Sequence, residues 1–184
     1  MTNLSFKRLL PNLLTILRII LTPICLYLLF IDMASLSFIL FLMASFTDFL
    51  DGYFARKYNS VSKIGSFIDP IADKMLVVGL FVSFYILNII IDEYILFMVI
   101  FRDVFVTILR IAMQSNGIVM ITSKVSKFKT TLQFLVIILL FLKIILFIDL
   151  DDAVIYCIAL ITAILTFYTG VHYLKNNFKQ IYKG

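Results

Sequence analysis

The stretch Thr47–Met75, TDFLDGYFARKYNSVSKIGSFIDPIADKM, sets four aspartates, Asp48, Asp51, Asp69 and Asp73, into a chain that is 62% hydrophobic and 15% charged. Ordinary globular domains carry roughly a quarter charged residues. With a mean hydropathy of +1.08, the composition predicts an integral membrane protein. A carboxylate near a bilayer is costly unless something compensates it. For four of them the simplest compensation is a pair of divalent cations.

Outward from this stretch, apolar runs of about twenty residues, the length that crosses a bilayer, predict spans at Leu14–Ile31, Leu36–Arg56, Ile64–Ile91, Tyr94–Gln114, Val125–Ile148 and Ala153–Leu174. Hydrocarbon offers backbone groups no water, and the runs are too long and unbroken for the alternating strands of a barrel. The expected class is all-α, with six transmembrane helices in a single domain over residues 1–184. Before the first span, Leu4, Phe6, Leu9 and Leu10 alternate with Lys7 and Arg8, which predicts a short interfacial segment over about residues 1–12. No small-residue cleavage site follows before Asp32, so the first helix is expected to be retained.

The charges fall on alternate connections. Lys7 and Arg8, then Arg56, Lys57 and Lys63, then Lys124, Lys127 and Lys129, then Lys175, Lys179 and Lys183 share one side. Asp32, then Asp92 and Glu93, then Asp149, Asp151 and Asp152 share the other. The positive-inside rule makes the basic side cytoplasmic, with both termini on it. A net charge of +5 borders spans instead of forming a soluble basic face, so membrane lipid headgroups and not nucleic acid are the expected partners. Cys25 and Cys157 lie inside spans without CxxC spacing and read as packing residues. His172, at the end of the sixth span, reads as a packing or interfacial residue.

Chemistry concentrates where the second and third spans meet. Residues three or four apart share a helix face, so Asp48, Asp51, Gly52 and Arg56 form one stripe and Gly65, Asp69 and Asp73 a second. The Tyr58–Ser62 turn allows the two to face each other. Hard cations such as Mg2+ or Mn2+ prefer such all-oxygen surroundings. Gly52 and Gly65 leave room for a ligand to approach, and Arg56 can pair with a phosphate.

These residues resemble the CDP-alcohol phosphotransferase family, whose signature is D, two residues, DG, two residues, AR, eight residues, G, three residues, D, three residues, D. Every signature position is present, as Asp48, Asp51, Gly52, Ala55, Arg56, Gly65, Asp69 and Asp73. The resemblance implies transfer of a phosphatidyl group from a CDP-linked lipid to a hydroxyl acceptor. It implies two divalent metals held by Asp48, Asp51, Asp69 and Asp73, with Asp73 as the base. It also implies CDP-lipid contacts by Asp48, Gly52, Arg56, Ser62 and Gly65, with Thr47 as a neighbour. A bacterial inner-membrane location with a cytoplasmic active site, and a homodimer, follow from the same resemblance.

Three further segments, LPNLLTILR (Leu10–Arg18), Arg102-Asp103 followed by Arg110, and SKFKTTLQ (Ser126–Gln133), resemble members of that family that use glycerol 3-phosphate as acceptor with CDP-diacylglycerol as donor. Ser126 departs from the glycine usual at its position. Arg110, Lys127 and Lys129 map near cytoplasmic span ends, where a phosphorylated acceptor needs cations. Arg102 lies deeper and is expected to pair internally, with Asp103 or a carboxylate on another helix. Related phosphotransferases with inositol phosphate, serine or another alcohol as acceptor share the signature. A cation transporter would explain the carboxylates but not Gly52, Arg56 and Gly65 at this spacing.

Overall fold

A computed structural model of the chain describes residues 2–58, 63–115, 124–146 and 151–181, with side chains described for 13–50, 68, 71–72, 74–113, 128–146, 151–173 and 175. Among these residues the structure is all-helical: α1 (Thr2–Phe30), α2 (Ala34–Tyr58), α3 (Lys63–Ile86), α4 (Glu93–Ser115), α5 (Lys124–Leu146) and α6 (Asp152–Ile181). Residues 2–12, expected as an interfacial segment, are helical and run on into the first span helix. Among the described residues, three helices contain stretches long and apolar enough to cross a membrane, Leu13–Phe30, Phe128–Leu146 and Asp152–Tyr173. Ala34–Leu50 of α2 and Lys74–Ile86 of α3 are apolar over shorter lengths.

The chain forms two compact units, Met1–Gly79 and Leu80–Gly184. In the first, α1 packs on α2. The buried positions of α1 are Thr15, Arg18, Thr22, Cys25 and Leu29, and those of α2 include Ala34, Ser37, Phe41 and Ala44. Steps of three and four residues bring one narrow seam of each helix onto its neighbour, as in a coiled coil. Most of these positions, Thr15, Thr22, Cys25, Ala34, Ser37 and Ala44, are small, which lets two backbones approach closely where lipid removes the hydrophobic drive for helices to associate. The Ser37 hydroxyl donates to the Cys25 carbonyl at 2.8 Å, joining the two helices. Leu13, Ile16, Leu17, Ile20, Ile24 and Tyr27 are exposed on α1 instead. A soluble helix would bury that face and expose the polar one.

The second unit repeats the pattern, with α6 packed by both α4 and α5. Its buried seam is Ile155, Ala159, Thr162, Thr166, Thr169 and Tyr173. Phe84 and Phe141 meet edge to face with centroids 5.4 Å apart. Gly170 sits where α6 meets α4, and a Cβ there would come within 2.7 Å of Arg102 Cγ.

The turns explain where helices end. After α1, Asp32 adopts a left-handed φ of 59° and the Met33 amide donates back to the Leu28 carbonyl at 2.9 Å. This six-to-one bond closes the helix in the manner of a Schellman motif. The third span was expected to reach Ile91, and the structure corrects this: α3 stops at Ile86. Hydropathy alone carries the run onward, but Asn88 takes φ 55° and the Ile89 amide bonds the Phe84 carbonyl at 2.8 Å. Ile90 follows at φ 60°. A left-handed backbone costs a β-branched residue on the order of 1–2 kcal/mol. Asp92 then caps α4 through the Ile95 amide at 2.8 Å, and its second oxygen accepts the Tyr156 hydroxyl at 2.6 Å. Nearby, Lys143 in the last turn of α5 pairs with Asp152 in the first turn of α6. Lys143 was not among the charges read from the sequence. It lines a cavity of about 610 Å3 together with Asn88, Ile90, Asp152 and Tyr156.

Candidate active site

Both halves of the aspartate signature lie in the first unit, on consecutive helices. Asp48, Asp51, Gly52, Ala55 and Arg56 are on α2, and Gly65, Asp69 and Asp73 are on α3. Continuous helix through each set makes the three- and four-residue spacings real: every set occupies one face of its helix. Ser62 lies outside the described residues, as do the side chains of Asp51, Gly52, Arg56, Gly65, Asp69, Asp73 and Lys127.

Asp48 is the signature carboxylate whose surroundings the structure describes. It is half-exposed, and Oδ1 stands 2.8 Å from Nη1 of Arg18, a residue of α1 that is 1% exposed. Arg18 closes the segment Leu10–Arg18 singled out from the sequence, which named no partner for it. The available signal was physical: an intramembrane arginine is paired internally, and Asp48 is a carboxylate of the neighbouring helix. Thr47 donates its hydroxyl to the Ala44 carbonyl of its own helix at 2.7 Å. All the signature's charged donors toward a metal are carboxylate oxygens, a set that fits a hard divalent cation and no soft one.

The second unit contains a different concentration of charge. Asp103 of α4 is completely buried. Its Oδ1 accepts Arg102 Nη1 at 2.7 Å and also the Lys129 ammonium of α5, and its Oδ2 accepts Gln133 Nε2 at 3.1 Å. Lys129 and Gln133 are one helical turn apart on α5, so a single face reaches across to one carboxylate. Arg102, Lys129 and Gln133 are each no more than 5% exposed. The expected pairing of Arg102 with Asp103 is present. The cross-helix partners were missed, although Lys129 and Gln133 both lie in the segment singled out from the sequence. Arg102 Nε and Gln133 Oε1 have no hydrogen-bond partner among the described residues. Arg110, half-buried, is on the same helix two turns beyond Asp103. His172 is exposed and stacks on Tyr168 with centroids 6.3 Å apart, consistent with a packing or interfacial role.

A family model described as CDP-alcohol phosphatidyltransferase matches residues 8–169. The chain is 37% identical over 173 residues to a Rickettsia typhi protein named CDP-diacylglycerol–glycerol-3-phosphate 3-phosphatidyltransferase, covering 90% of this chain and 95% of the relative. A Bacillus subtilis protein of the same name is 34% identical over 143 residues, 70% of this chain and 74% of its own. An Aquifex aeolicus protein, also so named, is 45% identical over 65 residues, covering 35% of this chain and 36% of its own. The match spans both compact units and includes every position of the aspartate signature, and the chain belongs to the CDP-alcohol phosphatidyltransferase family.

Proposed function

We propose that the chain transfers the phosphatidyl group of CDP-diacylglycerol to glycerol 3-phosphate, giving phosphatidylglycerophosphate and CMP. The observation that carries this reading is similarity over nine-tenths of the chain to proteins named for that activity, together with the complete signature on α2 and α3. In the transfer, an acceptor hydroxyl oxygen bonds to the phosphatidyl phosphorus, the diphosphate P–O bond to CMP breaks, and the hydroxyl proton passes to the Asp73 carboxylate.

Asp48, Asp51, Asp69 and Asp73 would hold two divalent metal ions, Mg2+ or Mn2+. Bound there, the metal supplies charge neutralisation on the diphosphate. Asp48, Gly52, Arg56, Ser62 and Gly65 bind the CDP-lipid, with glycine leaving room for the nucleotide and Arg56 giving paired donors to a phosphate. Arg110, Lys127 and Lys129 bind the acceptor phosphate. Fixing both substrates in one orientation supplies much of the acceleration in phosphoryl chemistry. All six helices span a bacterial inner membrane, the termini and active site face the cytoplasm, and the protein is a homodimer.

The test is CMP release by detergent-purified protein with CDP-diacylglycerol and Mg2+, in parallel with glycerol 3-phosphate, inositol phosphate, serine and no acceptor. Release that depends on glycerol 3-phosphate is expected. Release with another alcohol alone would overturn the acceptor assignment, and release with none would overturn the activity.

A further inference from the structure

Resting on that reading, we propose that Asp103 is a positioning residue for acceptor binding: it holds Lys129 of α5 against α4 in the one geometry that serves the acceptor phosphate. A fully buried carboxylate is a poor way to stabilise a helix pair, since its desolvation offsets most of what its ion pairs contribute and an apolar substitute often does as well. Buried ionic groups are best explained where they set register or orient a partner. Here one carboxylate takes donors from both α4 and α5 on its two oxygens. A lysine is a flexible four-carbon stem with a point charge, and left alone it samples many rotamers. Tethering its ammonium to Asp103, while Gln133 one turn along the same helix braces the second oxygen, removes that freedom before substrate arrives.

Arg102 and Gly170 extend the clamp to α6. The close approach of Gly170 to Arg102 Cγ sets the arginine stem in a slot that a side chain at 170 would fill. The guanidinium is thereby directed at Asp103. Three helices of the second unit thus fix the carboxylate that fixes Lys129.

The experiment is a double-mutant cycle of Asp103→Asn and Lys129→Met, reading KM for glycerol 3-phosphate, KM for CDP-diacylglycerol and the melting temperature in detergent. Asp103→Asn is expected to raise KM for glycerol 3-phosphate by about tenfold and leave that for CDP-diacylglycerol within about twofold. In the Lys129→Met background, adding Asp103→Asn is expected to cost no further acceptor affinity, because both changes act through the same ammonium. The double variant should also melt above Asp103→Asn alone, since Lys129 is then no longer a buried charge without its carboxylate, while Arg102 loses the same partner in both variants. A merely structural Asp103 would move both KM values together, or additively with Lys129→Met, and either result overturns the proposal. If Asp103→Asn does not fold, the double variant decides: its failure to fold as well assigns the cluster to folding and overturns the proposal. Wild-type protein that ignores glycerol 3-phosphate would overturn the acceptor assignment on which this proposal rests, and that outcome is read before any variant is made.

Discussion

Asp73 has two proposed roles, metal ligand and base, and Asp73→Asn separates them from folding. The amide keeps the size of the side chain but loses the proton acceptor and one negative charge, so CMP release should fall by at least about a hundredfold with an unchanged melting temperature. Turnover near wild type would remove Asp73 from the mechanism. Ser37 offers a contrasting residue-scale change. Among the described residues its hydroxyl bonds Cys25 of α1, so Ser37→Ala should cost about 0.5–1.5 kcal/mol of stability and leave both KM values unchanged. The signature residues were legible because their chemistry depends on spacing along one helix, a local property. The partner of Arg18 was not: nothing near residue 18 in the chain names Asp48, and only the packing of α1 on α2 puts the two 2.8 Å apart.

Two glycines show how elements control tolerance. A Cβ at Gly79 of α3 would stand 2.8 Å from Leu26 Cδ1, the free end of a rotatable side chain that can turn aside. Gly79→Ala should therefore be neutral, or stabilising by up to about 1 kcal/mol through higher helix propensity. At Gly170 of α6 the same addition meets Arg102 Cγ, near the root of a side chain whose far end is tied to Asp103. Gly170→Ala should destabilise by about 1–3 kcal/mol, as overpacking does, and thermal melting of the two variants side by side checks the contrast. At this scale the reading from sequence located the helices to within a few residues at most ends. It overran the end of α3, where the apolar run continues through a left-handed turn at Asn88 and Ile90, and stopped at Leu174 where α6 continues to Ile181, because the helix outlasts its apolar run.

Across the described residues, large apolar side chains such as Leu13, Phe46 and Ile161 are exposed while Thr15, Thr22, Thr162, Thr166 and Thr169 are buried, which describes a chain whose solvent is hydrocarbon. The proposed topology gives a direct test by cysteine labelling in a Cys157→Ser background, because Cys157 is exposed. Met33→Cys and Tyr94→Cys, both at exposed positions beside the acidic connections, should react in intact cells with a maleimide that does not cross membranes. Lys175→Cys should react only after permeabilisation, and the reverse pattern would invert the orientation. Cross-linking in native membranes that captured only monomer would count against the homodimer.

By itself the sequence determined the membrane class, the helical architecture and the family, because composition, run length and the spacing of eight residues are all read along one dimension. Only the tertiary structure decided which face of each helix is inside. Apolar side chains are equally at home against lipid and against another helix, so hydropathy does not distinguish Leu13, which is exposed, from Leu29, which is buried. It likewise decided the partners of the buried charges, joining Lys129 to Asp103 and Arg18 to Asp48. Such pairing depends on which helices become neighbours, and no local pattern of residues specifies that.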